Sequence, residues 1–290
     1  MRVTIFGATG LLGKALMSQW KGDDVSGLSS KDADIRDPQQ TFDAVERTSP
    51  NWIVLAAAYT DVDGCETNRE LAFAVNCHGA ANVAEAAKRV GSRLLFLSSD
   101  YVFDGTKTTP YETNDPVAPR SVYGQSKAEA EKELHQILPD VCIVRTSWLF
   151  GIGGKCFPDT ILKLAEKRPE LDVVDDQRGC PTHATDLASA IIQLCRQNAQ
   201  GTIHATNRGD CSWFEFAKQI LSAAGMNTTV RPTTSDKFVR PAPRPHYSVL
   251  SPSSLDKYGI TMPDWETATR LYVRQRSSLE NEYKSSHATF

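Results

Sequence analysis

Tyr123-Gly124-Gln125-Ser126-Lys127 sets a phenol and an ammonium four residues apart, on one face of a helix. An ordinary tyrosine titrates near pH ~10 and a neighbouring cation favours its phenolate, so the pair predicts a proton donor or acceptor usable near neutral pH. Upstream, Leu97-Ser98-Ser99-Asp100-Tyr101 closes an apolar run, so Ser99 sits at the C-terminal end of a predicted strand, placed to hydrogen-bond a substrate oxygen. The chain opens with Gly7-Ala8-Thr9-Gly10-Leu11-Leu12-Gly13 between a strand-like run and a helical one. Glycines there let backbone N–H groups approach a pyrophosphate at a helix N-terminus, which is dinucleotide chemistry. The spacing is Gly-x-x-Gly-x-x-Gly rather than Gly-x-Gly-x-x-Gly. Each motif alone has a bland counterpart, a surface helix pair or a plain tight turn.

Such residues need elements to hold them. Apolar, β-branched runs predict strands at Arg2–Phe6, Val25–Leu28, Trp52–Ala57, Arg93–Ser98 and Val141–Thr146. Helical patterns lie between them at Leu12–Trp20, Pro38–Thr48, Leu71–Val90 and Lys127–Leu138. This alternation predicts βαβ units and a doubly wound parallel sheet over residues 1–150, with part of 183–205 packed on it. Beyond it the rhythm loosens into a smaller, interleaved substrate-binding region, 151–276. Helices are predicted at Asp186–Arg196 and Trp213–Ala224, and Arg231–Pro245, with four prolines, reads as irregular. Residues 277–290 are polar and aperiodic, a predicted flexible tail.

Composition narrows the partners. Hydrophobic residues at 40% and charged residues at 23% exclude disorder as the main state of this 290-residue chain. Thirty-two basic and 35 acidic side chains leave a net charge of −3, no basis for binding nucleic acid or an anionic membrane. No apolar run approaches the ~20 residues of a membrane helix, and the N-terminus enters a strand directly, without the apolar stretch of a leader. Seven cysteines without a Cys-x-x-Cys pair read as reduced core thiols, hence a cytoplasmic protein. The Asp63 and Glu66 carboxylates lack a His or Cys partner at ligand spacing and read as a solvated loop, so no metal ligand is expected; His204, in a predicted strand, reads as a core histidine.

The glycine turn, the strand-end serine and Tyr-x-x-x-Lys together resemble the extended short-chain dehydrogenase/reductase superfamily. Within it the chain resembles the dTDP-4-dehydrorhamnose reductases. The matching segments are Ala56-Ala57-Ala58-Tyr59-Thr60-Asp61-Val62-Asp63, Ser98-Ser99-Asp100-Tyr101-Val102-Phe103-Asp104-Gly105 and Arg145-Thr146-Ser147-Trp148. Asp176-Gln177-Arg178-Gly179-Cys180-Pro181-Thr182, Gly201-Thr202-Ile203-His204-Ala205 and Arg244-Pro245-His246-Tyr247-Ser248-Val249-Leu250 follow in the family's order. The resulting fold class is α/β, a Rossmann-type doubly wound parallel sheet with a smaller C-terminal substrate-binding domain.

The resemblance implies an oxidoreductase that reduces the C4 ketone of dTDP-4-dehydro-6-deoxy-L-mannose to dTDP-L-rhamnose with NAD(P)H. Tyr123 would donate the proton, Lys127 would lower the tyrosine's pKa and hold the nicotinamide ribose, and Ser99 would hydrogen-bond the ketone oxygen. Thr60, Val62, Asp100 and Trp148 would complete the sugar pocket; for Trp148 the competing reading is a core aromatic. Gly7, Thr9, Gly10, Leu11 and Leu12 would surround the pyrophosphate, Asp34 and Ile35 the adenine, and Ala56, Ala57 and Ala58 the nicotinamide half. Asp34 also reads as a helix N-terminal acid. The end of the second strand, Gly27-Leu28-Ser29-Ser30-Lys31, carries no acid to repel a 2′-phosphate, and its hydroxyls and the Lys31 ammonium can accept one, so NADPH is expected at least as readily as NADH. Some reductases of this family form a Mg²⁺-bridged dimer through a glutamate on the first helix. Ala15 stands at that position beside Lys14, so a metal-independent monomer or weak homodimer is expected. A regulatory subunit like methionine adenosyltransferase β, and a sugar-nucleotide epimerase or dehydratase, are the alternatives; the intact Ser99, Tyr123 and Lys127 set favours catalysis.

Overall fold

The structure, a computed structural model, describes residues 1–287, with side chains described through residue 279. Strands β1 (Arg2–Phe6), β2 (Asp24–Leu28), β3 (Trp52–Leu55), β4 (Arg93–Ser99) and β5 (Cys142–Thr146) join a later strand, Gly201–His204, in one sheet. Its order is Gly201–His204, β5, β4, β3, β1, β2, and every pairing is parallel. Helices α1 (Leu11–Gln19), α2 (Pro38–Thr48), α3 (Val62–Thr67), α4 (Arg69–Phe73), α5 (Gly79–Val90) and α6 (Val122–Ile137) lie in the crossovers. This is the doubly wound α/β sheet that the alternating pattern predicts.

The period of two along a strand decides which face each residue covers. In β4, Leu94 and Phe96 pack with Val45, Val83, Ala87 and Leu134 of α2, α5 and α6. Leu95 and Leu97 pack on the other face with Leu16 of α1 and with Leu187 and Ile191 of the helix Ala184–Arg196. Both faces are covered, so the strands read as continuous apolar runs. A third core, around Phe150, Ile161, Leu162, Phe216, Trp265 and Tyr272, lies off the sheet. It is built from the helices Phe157–Ala165 and Trp213–Ala223, with a parallel two-stranded pair, Glu170–Val174 and Thr229–Thr233, beside them.

Because β1 is flanked by β2 on one side and β3 on the other, the chain reverses its direction of winding there. The crevice outside the carboxyl ends of β1 and β3 is where such sheets bind ligands.

Several elements depart from the sequence pattern. Val62–Thr67 is a helix rather than the expected loop, because Asp61 caps it by accepting from Gly64 N. Residues 231–233, expected to be irregular, belong to the strand Thr229–Thr233 paired with Glu170–Val174. The helix expected over Leu71–Val90 is broken by a π-helical turn, Ala74–His78, between α4 and α5. Asn76 in that turn accepts from Tyr59 N and donates to Tyr59 O and Ser126 Oγ, tying it to β3's outgoing loop and to α6. Helix α6 starts before Lys127, at Val122, because Ser121 caps it by accepting from Gly124 N and Glu66 accepts from Val122 N. The expected tail from Ser277 instead continues the helix Trp265–His287, whose Glu, Lys and Arg residues are good helix formers; residues 288–290 lie outside the described residues.

Candidate active site

The glycine turn is forced by close approach. Gly7 has φ +87°, and a Cβ on it would meet Ala57 N at 2.6 Å; one on Gly13 would run into the Gly7 carbonyl oxygen. Gly7 N and Ala8 N donate to Leu28 O at 2.9 and 3.0 Å, which pins the turn to β2. No side chain caps α1 and its first turn carries no acid, so its leading amides face a cleft of about 800 Å³. Gly7, Thr9, Gly10, Leu11 and Leu12 line that cleft. A backbone cradle with no room for side chains, at a helix N-terminus, fits a dinucleotide pyrophosphate.

Along the same rim come Asp34 and Ile35 after β2, Ala56, Ala57, Ala58, Thr60 and Val62 after β3, Ser99 and Asp100 at the end of β4, Tyr123 and Lys127 from α6, and Trp148 after β5. Lys31 does not line the cleft. Asp32 accepts from both Ser29 N and Ser29 Oγ, and Lys31 N donates to Ser29 Oγ, a tight turn that leaves the exposed lysine on the outside. The cation that lines the cleft next to Asp34 is Arg36, whose guanidinium meets the Asp34 carboxylate at 2.5 to 3.0 Å. Arg36 thereby holds the Asp34 carboxyl below its usual range. Asp34 is not the helix acid either, since Asp37 caps α2 by accepting from Gln39 N and Gln40 N.

At the centre, Ser99 Oγ donates to Asp100 Oδ1 at 2.9 Å and accepts from Tyr101 N at 3.2 Å, and Ser99 and Tyr123 line the same cleft. The Tyr123 ring packs edge-on to Tyr101, centroids 5.7 Å apart. Lys127, 2% exposed, donates to the Leu97 carbonyl at 2.9 Å and lies 4.6 Å from the Phe96 ring centre. Burial lowers its ammonium from 10.5 to about 8. Burial also raises Tyr123 above its ordinary value, and the Asp100 carboxylate adds to the rise. The expectation that Lys127 depresses this phenol is therefore not the balance seen here; desolvation and Asp100 dominate. Asp100 itself is pushed up to about 6 by burial, against the hydrogen bond that its Oδ1 accepts from Ser99.

Trp148 is half-buried with φ +46°, a left-handed conformation rare for a bulky residue. Its ring stacks on Trp213, centroids 3.5 Å apart and planes 7° apart, and both indoles line the cleft. Gly179 makes room, since a Cβ there would meet Trp148 Cε2 at 2.5 Å. Trp213 and Arg36 escaped the sequence reading. Arg36 stands two residues from Asp34 and could have been found from that proximity. Trp213 opens a helix of the small lobe, and only the tertiary fold brings it to Trp148. Asp63 and Glu66 are structural rather than solvated: Asp63 pairs with Arg244 at 2.6 Å, and Glu66 holds the start of α6. His204 is buried in the core, and burial lowers its imidazole to about 3.

Comparison with known proteins places these features in context. The family model described as RmlD substrate binding domain matches residues 1–278. The spore coat polysaccharide biosynthesis protein SpsK of Bacillus subtilis (strain 168) is 39% identical over 279 residues, 96% of this chain and 98% of that protein. The dTDP-4-dehydrorhamnose reductase of Mycobacterium tuberculosis (strain ATCC 25618 / H37Rv) is 40% identical over 279 residues, 92% of this chain and 90% of that one. A crystal structure of the Bacillus anthracis dTDP-4-dehydrorhamnose reductase in complex with NADP superposes with a TM-score of 0.92 at 39% identity, covering 94% of this chain and 99% of that one.

Proposed function

Since the chain belongs to the RmlD substrate binding domain family, we propose that it reduces the C4 ketone of dTDP-4-dehydro-6-deoxy-L-mannose to dTDP-L-rhamnose. It is an oxidoreductase that uses NADPH at least as well as NADH. The observation that carries this reading is a single cleft in which a glycine-cradled helix N-terminus and the Ser99–Tyr123–Lys127 set meet.

When bound, NADPH supplies the hydride. Gly7, Thr9, Gly10, Leu11 and Leu12 would hold its pyrophosphate, with Asp34 and Ile35 toward the adenine and Ala56, Ala57 and Ala58 along the nicotinamide half. Ser29 and Ser30 would keep the 2′-phosphate role expected of their hydroxyls, and Arg36 would take the part expected of Lys31, because these three line the cleft and Lys31 does not. Tyr123 acts as general acid, and its raised pKa keeps the phenol protonated until the ketone oxygen demands the proton. Ser99, beside Tyr123 in the cleft, would hydrogen-bond the ketone oxygen and so fix its approach to the donor. Lys127, held by the Leu97 carbonyl, sets a positive charge under the site and would hold the nicotinamide ribose. Thr60, Val62, Asp100 and Trp148 border the sugar, and the Trp148–Trp213 stack offers an apolar wall to the 6-deoxy methyl group.

The reaction is metal-independent. Lys14 donates to the Gly153 carbonyl at 2.6 Å and Ala15 packs against the core, so the start of α1 offers a cation no carboxylate. A cytoplasmic monomer or weak homodimer fits that reading, and among the described residues no helix is long and apolar enough to cross a membrane.

The decisive experiment mixes purified protein, NADPH and dTDP-4-dehydro-6-deoxy-L-mannose and follows absorbance and product by chromatography. Stoichiometric NADPH oxidation with dTDP-L-rhamnose formation is the expected result. NADPH that binds without being oxidised would overturn it in favour of a regulatory nucleotide-binding role.

A further inference from the structure

Away from the cleft, the π-helical turn and α6 bring together three side chains that the reductase chemistry does not use. The ligand atoms of Cys77, His78 and Glu133 (the thiol sulfur, an imidazole nitrogen and a carboxylate oxygen) all lie within 4.8 Å of one another. The π turn explains how two consecutive residues reach one partner. Successive side chains of an α-helix diverge by about 100°, and the wider i→i+5 turn reduces that angle. Cys77 is fully buried, Glu133 half-exposed and His78 exposed, so the cluster opens to solvent on the histidine side. Its floor is rigid, because the neighbouring Asn76 is bonded to Tyr59 and Ser126.

We propose that Cys77, His78 and Glu133 form a binding site for a divalent transition-metal ion of the zinc type, with water as the fourth ligand. Thiolate, imidazole and carboxylate are the donors that zinc accepts in tetrahedral sites, at about 2.3, 2.0 and 2.0–2.2 Å. In a tetrahedral site with these bond lengths, ligand atoms lie about 3.3–3.6 Å apart, so a trio spread over as much as 4.8 Å closes by up to about 1.5 Å on binding. His78 and Glu133 have the freedom to do this. Calcium and magnesium prefer oxygen ligands and are poor matches for a thiol and an imidazole. Binding breaks the Cys77 S–H bond and forms S–metal; the proton leaves to solvent, His78 coordinates as neutral imidazole and Glu133 as carboxylate, so one proton is released per ion. Burial, with Glu133 and Glu129 adding to it, pushes the Cys77 thiol up to about 12, and the positive ion among these carboxylates offsets that cost.

Full-length protein is titrated with Co²⁺, whose bond to thiolate gives an intense charge-transfer absorption, and with Zn²⁺ by equilibrium dialysis. One ion per chain is expected, with the absorption lost in Cys77→Ala and affinity at least tenfold weaker in His78→Ala and Glu133→Gln. Zn²⁺ should also raise the Tm of the wild type and not that of His78→Ala. Since His78 is exposed, that variant tests the site even where Cys77→Ala fails to fold. Substoichiometric binding, a cobalt complex without the thiolate band, or equal affinity in wild type and His78→Ala would each overturn the proposal.

Discussion

In the proposed reaction Tyr123 and Lys127 divide the proton chemistry between them in a way their spacing alone does not specify. Tyr123→Phe keeps the ring packing and removes the acid, so turnover should fall ~10²–10⁴-fold with NADPH affinity largely kept, which steady-state kinetics and a cofactor titration would check. The alkaline limb belongs to the lysine. Its folded value is lowered to about 8 while the tyrosine's is raised, so on raising the pH the ammonium is lost first. A plot of kcat/KM against pH should therefore fall with a midpoint near 8, and activity level up to pH 10 would refute this assignment. For the same reason burial of Lys127 costs stability below pH 8 and ceases to cost it above the unfolded value of 10.5. Arg36→Ala should lower kcat/KM for NADPH at least tenfold while leaving NADH nearly unchanged; equal losses for both cofactors would remove Arg36 from 2′-phosphate recognition. The glycines, Ser99, Tyr123 and Lys127 were legible because each has a local signature. The signs of the pKa shifts were not, because they come from burial and from Asp100, which only the folded packing supplies.

Among the elements, α6 shows how a helix start positions chemistry. Tyr123 is its second residue, and the Val122 N–H just before it is held by Glu66 at 2.8 Å. Glu66→Ala removes that acceptor and a negative charge at the helix N-terminus, together about 1 kcal/mol. Calorimetry should show a Tm lower by about 2 °C, with a fall in kcat exceeding the change in NADPH affinity. An unchanged kcat would show that Ser121 alone fixes the helix start. Most strands and helices were readable to within a few residues, since alternate burial on both sheet faces demands unbroken apolar runs. The π turn was not readable. Leu71–Val90 has an uninterrupted helical composition, and the insertion follows from the tertiary bonds of Asn76.

For the molecule as a whole, the proposed catalysis and the proposed metal site should be separable. EDTA should leave turnover unchanged and Mg²⁺ should not alter the mass in light scattering, since α1 offers Lys14 and Ala15 where a carboxylate would be needed. Loss of activity on chelation, restored by Mg²⁺, would contradict this. The doubly wound architecture was legible in the alternation of strand and helix, and the small lobe much less so. Its core gathers Phe150, Phe216, Trp265 and Tyr272 from distant parts of the chain, and no local period announces that meeting.

The return of the chain into the sheet has a consequence for how the protein is made. The strand Gly201–His204 borders β5, and the helix Ala184–Arg196 covers one sheet face only after the chain has passed through the small lobe. During synthesis the first 150 residues therefore leave the ribosome with β5 as an open edge, and Leu95, Leu97 and Val144 lack the side chains of Leu187 and Ile191. A nascent chain stalled at that length should engage chaperones, and one stalled with residue 204 well clear of the exit tunnel should resist protease. The polypeptide completes its larger lobe late, and the smaller one is threaded into it on the way.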